Sequence, residues 1–455
     1  MESAGSGSKH KLELIAWTKA LADQRTMAEL KMEQWLNDAA ADAALMDDFM
    51  KVCSFGGRRS GSGQDSAALD WALGRLREIA PGAKRIDVPY AGWQCAKSGL
   101  RLLNDMTPLQ CKPLLRSAST PPEGIQLEVL DLGKGRPEDF NRAGDRIQGR
   151  VVLVEHEYPF SPNHMHRRKK YDLAVAGGAA AFLIASPWAG AGLLSGSSGR
   201  GYEQHGIPAA YVDFESGEAL RKAAAAGNAM IELVIVGEEQ PDAAAGVGVL
   251  DIPGGQAGTI VISAHMDGHD LGQSALDNAT GVAVALAAAR ALASHVSEHT
   301  PSLSVCFFCA EEWALTGSAR YLDQLPPEDR NRIKLNINLD TVAGDDSLTA
   351  LISDFPALEQ YVGQASRMAR VPIATWLPLM PNSDHANFAR HGIPAFRLVA
   401  GFDRPESRVN NILSPGDLPS IIRESELRQA LRATCALALI AMDKTGEELS
   451  ALAKR

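Results

Sequence analysis

From Gly255 onward the chain alternates short apolar runs with helical stretches, and this alternation limits its fold more than any other feature. Thr259–Ser263, Leu303–Cys309, Ile333–Leu339 and Ala395–Val399 have the composition of strands. Gly281–Ser294, Thr316–Gln324, Pro356–Arg370 and Glu424–Met442 have the composition of helices. Apolar strands separated by helices bury both of their faces as a mainly parallel sheet covered by helices. The expected fold class is therefore α/β, and in such a sheet reactive groups gather just past the carboxyl ends of the strands.

Acidic and imidazole side chains stand at those ends. The run TIVIS leads into Ala264-His265-Met266-Asp267, LSVCFFCA leads into Glu311-Glu312, and IKLNIN leads to Leu339-Asp340. Asp277 precedes the Ala-rich helix. Carboxylates crowded at one edge repel each other and resist ionisation unless a cation neutralises them. Imidazole with carboxylate suits zinc, with manganese or cobalt as alternatives. Asp267, two residues beyond His265, stands where it can hold the far ring nitrogen. A carboxylate free of metal is also needed to take a proton from water, and the Glu311-Glu312 pair offers one side chain for each task. Any one acidic residue at a strand end is more often a helix cap or a surface charge. The whole set, in this order, is hard to obtain by chance.

A chain of 455 residues exceeds the ~250–300 at which a single core stops growing, so two or more domains are expected. Residues 1–117 are assigned to an N-terminal helical part of the catalytic domain. Within it Lys11 to Gly82 is helical, broken by a flexible stretch from Gly56 to Gly63, and the helix Asp65–Ile79 carries an apolar stripe of Leu69, Leu73 and Leu76. Near Ser117–Pro122 the texture changes. Residues 118–245 carry short β-runs, Leu127–Leu130, Val151–Glu155, Ala180–Ala185, Ala209–Asp213 and Met230–Val236, with a helix at Ala219–Ala225 and another before Gly177. This is a small β-rich insert in which no catalytic set is evident. Residues 246–455 form the metal-dependent catalytic domain.

Composition excludes some partners. A formal net charge of -10 argues against nucleic acid and anionic membrane, both of which reward clustered Lys and Arg. The one basic cluster, Arg167-Arg168-Lys169-Lys170, is expected to be a solvated loop. No stretch is expected to reach the ~20 apolar residues of a membrane span, and the N-terminus lacks a secretory h-region. Cys306 and Cys309 form a CxxC inside an apolar strand, where residues three apart face opposite ways, so core packing is expected rather than metal ligation. Cysteines without framework spacing point to a reducing compartment, the cytoplasm.

The segment from His265 through Asp277-Asn278, followed by Ala310-Glu311-Glu312 and Asn338-Leu339-Asp340, resembles the co-catalytic zinc aminopeptidase and glutamate carboxypeptidase family. The nearest texture is that of its carboxypeptidase Q branch, which shares a Thr-Pro-Pro-Glu-Gly-Ile stretch like residues 120–125. The resemblance covers roughly residues 50–440. It implies His265 and Asp340 on one metal, Asp277 bridging, Glu312 on a second metal, Glu311 as general base, and a protease-associated insert that can also make dimer contacts. One position departs from the family. Where it places its last histidine ligand, in a Tyr-His-Thr-x-x-Asp-like stretch, this chain has Asn411-Ile412-Leu413-Ser414-Pro415-Gly416-Asp417. Leu413 cannot bind metal, so the second ion takes a substitute ligand, binds weakly or is absent. The substitutes are His385, itself expected nearer the substrate, His269, and water or Asn411. The resulting expectation is a hydrolase cleaving a peptide or amide bond of a small substrate, with one or two zinc ions. The alternatives are a non-catalytic binding protein on the same fold and a mononuclear amidase or cyclase acting on a metabolite.

Overall fold

A computed structural model describes residues 27, 29–200 and 206–454. Two eight-stranded sheets organise them. The first has the spatial order Lys84–Pro89, Ala244–Ile252, Ser302–Phe308, Thr259–His265, Ile333–Leu339, Ala395–Ala400, Leu348–Leu351 and Ile373–Trp376. Its middle four strands are parallel to one another. Their residues are almost all buried, which is why they appear in the sequence as unbroken apolar runs rather than as alternating ones. Antiparallel strands flank them. The expected α/β class and its parallel centre are as anticipated.

Register decides where the chemistry sits. His265 pairs with Phe308, three residues before Glu311, and Ser263 pairs with Asn338, two residues before Asp340. Three strands therefore end level with one another. Their polar residues are tied together beneath that edge. Asn336 Nδ2 donates to Ser263 Oγ at 2.8 Å, Ser263 Oγ donates to Asn338 Oδ1 at 2.7 Å, and Asn338 Nδ2 donates to Ser383 Oγ at 2.7 Å. A buried hydrogen-bonded chain of this kind ties the strands to one another in a fixed register.

The Ala-rich helix Thr280–Leu292 packs against the sheet and against the helices Leu45–Ser54 and Glu424–Met442. The segment Ala275–His295 does reach spanning length and hydropathy, contrary to expectation, but 89% of its most apolar window is buried in the protein, as befits a core helix.

The second sheet runs Thr107–Leu109, Gly92–Leu102, Met230–Gln240, Ile125–Asp131, Val151–Glu155, Ala181–Ala185, Ala209–Val212 and Cys111–Pro113. Residues 92–113 therefore belong with the insert, and Lys84–Pro89 is a strand of the main sheet, so the N-terminal part is not wholly helical and a boundary at 117/118 cuts through the second sheet. Gly92–Leu102 has five consecutive exposed residues and offers no apolar run to recognise; its pairing with Met230–Gln240 makes it a strand. Ala244–Ile252 likewise starts the main sheet just before residue 246.

Two local expectations fail for electrostatic reasons. Arg167–Lys170 is the first turn of the helix Arg167–Ala176, not a solvated loop; Arg167 and Lys170 are buried, Lys170 by an ion pair to Glu157 at 2.6 Å and a bond to the Glu155 carbonyl at 2.8 Å. The stretch from Gly56 to Gly63 is anchored by Arg58, which is fully buried and donates to the carbonyls of Met266, Gln273 and Ser274 at 2.9 Å each. The helical expectation for residues 11–26 lies outside the described residues.

The helix carrying Asp277 comes close to the Asp340 strand only because residue 281 is glycine: a Cβ there would lie 2.2 Å from the Leu339 carbonyl oxygen. Gly281→Ala should cost roughly 1–3 kcal/mol in denaturant unfolding. Gly74→Ala, in the helix Gln64–Ile79 with no atom within 4 Å of the added carbon, should instead gain about 0.5–1 kcal/mol.

Candidate metal centre and active site

His265 is the last residue of its strand and is buried. Its Nε2 lies 2.9 Å from Asp277 Oδ1 and 3.5 Å from Asp340 Oδ1. Ligand atoms of His265, Glu311 and Asp340 come within 4.8 Å of one another. Glu312 lines the same cavity as Asp277, Glu311 and Asp340. The structure thus gathers every residue of the expected ligand set, and it brings Glu311, expected as the base, beside His265 and Asp340.

The electrostatics are those of a site one cation short. Burial pushes the Glu311 and Glu312 carboxyls well above the carboxylate range, with further upward pressure from each other or from Asp277. Asp277 is raised by burial and by Asp340. Burial would lower His265, but Glu311 and Asp340 outweigh it and hold the imidazole well above its ordinary value. Two buried atoms, His265 Nε2 and Glu312 Oε1, make no hydrogen bond. Orphaned atoms of this kind, one nitrogen and one carboxylate oxygen among neighbouring carboxylates, fit a borderline divalent ion of the zinc type.

Asp267 acts differently from expectation. His265 Nδ1 lies 3.0 Å from the Asp267 carbonyl oxygen and 3.7 Å from its carboxylate. The carboxylate is used elsewhere: Oδ1 accepts the Glu311 backbone N–H at 3.1 Å and Oδ2 accepts the Ser60 hydroxyl at 3.1 Å. Ser60 Oγ in turn accepts the Ala310 N–H at 2.8 Å. Asp267 and Ser60 together therefore set the backbone on which Glu311 stands.

The substitute ligands fare unequally. His269 is held away from the cavity: Nε2 meets Asp417 Oδ2 at 3.2 Å and Nδ1 accepts the Leu271 N–H at 3.3 Å. Asp417 Oδ1 also accepts the Leu276 N–H at 2.6 Å, which links the two loops around Asp277. His385 is buried, does not line the cavity, and is pushed down to about 3 by burial and by Arg397. Asn411 Nδ2 is bonded to the Arg408 carbonyl, and Asn411 is absent from the cavity lining. Leu413, however, does line the cavity beside the carboxylates, where the absent imidazole is expected.

Arg397 is a site residue that no motif in the sequence points to. Its Nη2 lies 3.0 Å from Asp340 Oδ1, its Nε donates to the Asp340 carbonyl at 3.2 Å, and both side chains are buried. Burial would raise Asp340; Arg397 and His265 override it and hold the carboxyl below the usual range. A single arginine inside an apolar parallel strand is itself a signal, because a buried guanidinium requires a buried anion. Asp384, beside His385, was also passed over. It accepts the Ser318 hydroxyl and is pushed up to about 7 by burial.

The insert closes the site. His156, His166, Arg167 and Arg168 line the cavity together with the carboxylates, leaving about 80 Å³. Sequence did not single out these residues, because histidines and arginines outside a known motif look like surface residues there.

Comparison with known proteins agrees with this geometry. The model of Peptidase family M28 matches residues 249–438, and that of the PA domain matches residues 119–220. Aminopeptidase YwaD of Bacillus subtilis is 26% identical over 325 residues, 69% of this chain and 66% of that protein. Carboxypeptidase Q of Bos taurus is 29% identical over 212 residues, 45% of this chain and 44% of that protein. The chain thus spans just under two thirds of the first relative and under half of the second. Among solved structures, a peptidase M28 precursor from Shewanella amazonensis superposes with a TM-score of 0.74 at 18% identity, covering 92% of this chain and 98% of that one. A zinc aminopeptidase from Bacillus subtilis gives 0.69 at 20% identity, covering 89% and 95%. At these identities the superpositions establish the fold.

Ser60→Ala removes an acceptor from the buried Ala310 N–H and a donor from Asp267. The expected loss is about 2 kcal/mol in denaturant unfolding, since an orphaned buried donor costs about 1–3 kcal/mol.

Proposed function

We propose that this chain, whose residues 249–438 match the model of Peptidase family M28 and whose residues 119–220 match that of the PA domain, is a metal-dependent hydrolase cleaving an amide or peptide bond of a small substrate. The observation that carries this is the clustering of Asp277, Glu311, Glu312 and Asp340 around one cavity, with the buried His265 imidazole 2.9 Å from Asp277 and neither His265 Nε2 nor Glu312 Oε1 in a hydrogen bond. Zinc is the ion this donor set suits, and the Bacillus subtilis structure similar to this chain is described as a zinc aminopeptidase.

His265, Asp277 and Asp340 would hold the ion, with Glu312 reaching toward a second position. Zinc supplies a Lewis acid for the carbonyl oxygen and lowers the pKa of water. Glu311 takes a proton from the attacking water on its carboxylate and delivers it to the leaving amine nitrogen. Asp267 and Ser60 hold the Glu311 backbone in place. The cavity, narrowed by His156, His166, Arg167 and Arg168 of the insert, suits a dipeptide, an aminoacyl compound or an acyl amide better than a protein chain.

Leu413 and Arg397 favour a mononuclear form of this chemistry. At the second position Leu413 stands where the family has its histidine, and Arg397 already supplies one positive charge to Asp340. Asp277 and Glu312 alone offer that position two carboxylates, fewer than the three protein ligands usual in catalytic zinc sites and better suited to a harder ion such as manganese.

Glutamine variants separate the roles of the two glutamates. Glu311→Gln should keep its metal and lose about 10²–10⁴-fold in turnover on a panel of aminoacyl amides and dipeptides. His265→Ala should lose metal and activity together, measured by elemental analysis of the same preparations. If Glu311→Gln loses its metal, Glu311 is a ligand and the base assignment is wrong.

A further inference from the structure

We propose that Phe160, in the loop of the insert that follows the strand Val151–Glu155, is a positioning residue of the metal centre: it seats Arg397 on Asp340, so that the centre holds its ion tightly only while that loop is docked. The proposal rests on the metal reading of the site and not on the reaction carried out there.

Arg397 is a planar cation held around its rim and on a face. It stands inside the buried strand Ala395–Ala400, in register with Asn338, two residues before Asp340. Around the rim, Nε donates to the Asp340 carbonyl at 3.2 Å, Nη1 to the Asn382 carbonyl at 2.8 Å and Nη2 to Thr341 Oγ1 at 3.1 Å, while Nη2 also lies 3.0 Å from Asp340 Oδ1. Thr341 Oγ1 in turn donates to Asp340 Oδ1 at 3.0 Å. The face is covered from the insert, with the guanidinium carbon 4.6 Å from the centre of the Phe160 ring. Hydrogen bonds in the plane and an aromatic ring over the plane do not compete, so the ring adds its attraction to a group already fixed at its edge.

Phe160 is itself pinned to the catalytic domain. Its carbonyl accepts the Asp403 N–H at 2.6 Å, the Ser161 hydroxyl donates to the Asp403 carboxylate at 3.2 Å, and the Tyr158 hydroxyl donates to the Gly401 carbonyl at 2.6 Å. The buried ring shares an apolar cluster with Leu276, Val409 and Ile412, and Leu276 is the neighbour of Asp277. The loop that fastens the insert at this point therefore carries the ring that covers Arg397.

Charge decides the direction of the effect. The carboxylates of Asp277, Glu311, Glu312 and Asp340, beside one imidazole, exceed what a single divalent ion cancels, so Arg397 offsets a surplus rather than competing with the ion. It also fixes one orientation of Asp340, and groups that orient a metal ligand in this way are worth about 10–100-fold in affinity. Without the ring, water reaches the guanidinium and weakens its hold on the carboxylate.

The test uses the full-length protein, freed of metal by dialysis against a chelator and titrated with zinc against a chromophoric competitor. The unfolding midpoint of each metal-free variant is recorded alongside. Phe160→Leu, which keeps bulk without a ring face, should bind zinc about three- to tenfold more weakly, while Phe160→Tyr should stay within about twofold of the unaltered protein. Tyr158→Phe, which removes a docking bond and leaves the stack, should lower the unfolding midpoint and leave zinc affinity unchanged. Arg397→Met should weaken zinc about 10–100-fold, and adding Phe160→Leu to it should have no further effect. Unchanged zinc affinity in Phe160→Leu overturns the proposal. So does a loss in Tyr158→Phe as large as that in Phe160→Leu, which marks packing alone, or losses that add in the double variant. If Arg397→Met does not fold, the Phe160 and Tyr158 variants decide the matter. An unaltered protein that binds no zinc overturns the metal centre and the proposal with it. The predicted order of zinc affinities without hydrolysis of any amide upholds the proposal and overturns the hydrolase reading.

Discussion

Mutual repulsion among buried carboxylates at the end of a parallel sheet is the constraint on which the rest of this structure depends. Asp277, Glu311, Glu312 and Asp340 line one cavity, and the buried His265 imidazole stands 2.9 Å from Asp277. A dry interior makes such charges far more costly than water does, and they can persist only neutralised or compensated. The protein answers in three ways. Three of the carboxyls are pushed toward their neutral forms, Asp340 is compensated by Arg397, and His265 is pushed toward its charged form. A metal ion replaces those compromises with one centre of charge, which is why the donor set and the orphaned atoms belong to one explanation.

Holding this arrangement requires the loops around it to be fixed more firmly than loops usually are. Arg58 binds the carbonyls of the chain between His265 and Asp277, Asp417 ties the Leu413 loop to the Leu276 N–H, and Ser60 joins the start of the chain to the Glu311 turn. These bonds link segments more than 100 residues apart in sequence. They explain why a Gly-Ser-rich stretch that has the composition of a flexible linker is instead a buried brace.

The four central strands, the closing helix Glu424–Met442 and the acidic residues past the strand ends were legible because burial on both faces writes an unbroken apolar run into the sequence. The edge strands were not. Gly92–Leu102 is largely exposed and is defined by its partner, not its composition. At the site, the ligand types were legible, but roles that depend on direction were not: Asp267 uses its carbonyl on His265 and its carboxylate on Glu311, a division invisible in a residue name. Arg397 could have been found as the one charge in a buried strand. Arg167 could not, because nothing in Arg-Arg-Lys-Lys distinguishes a solvated cluster from one whose first member is packed against Gly196 and Tyr211.

Leu413 and Arg397 change the centre in the same direction, one by removing a ligand and the other by adding a fixed positive charge. The insert adds two more guanidinium groups on the opposite wall. The account therefore has one tightly bound ion per chain at its centre. Elemental analysis after prolonged dialysis against metal-free buffer measures this directly, with Leu413→His prepared in parallel. One zinc per chain in the unaltered protein, rising toward two in Leu413→His, is the predicted result; two equally tight zinc ions in the unaltered protein would contradict it.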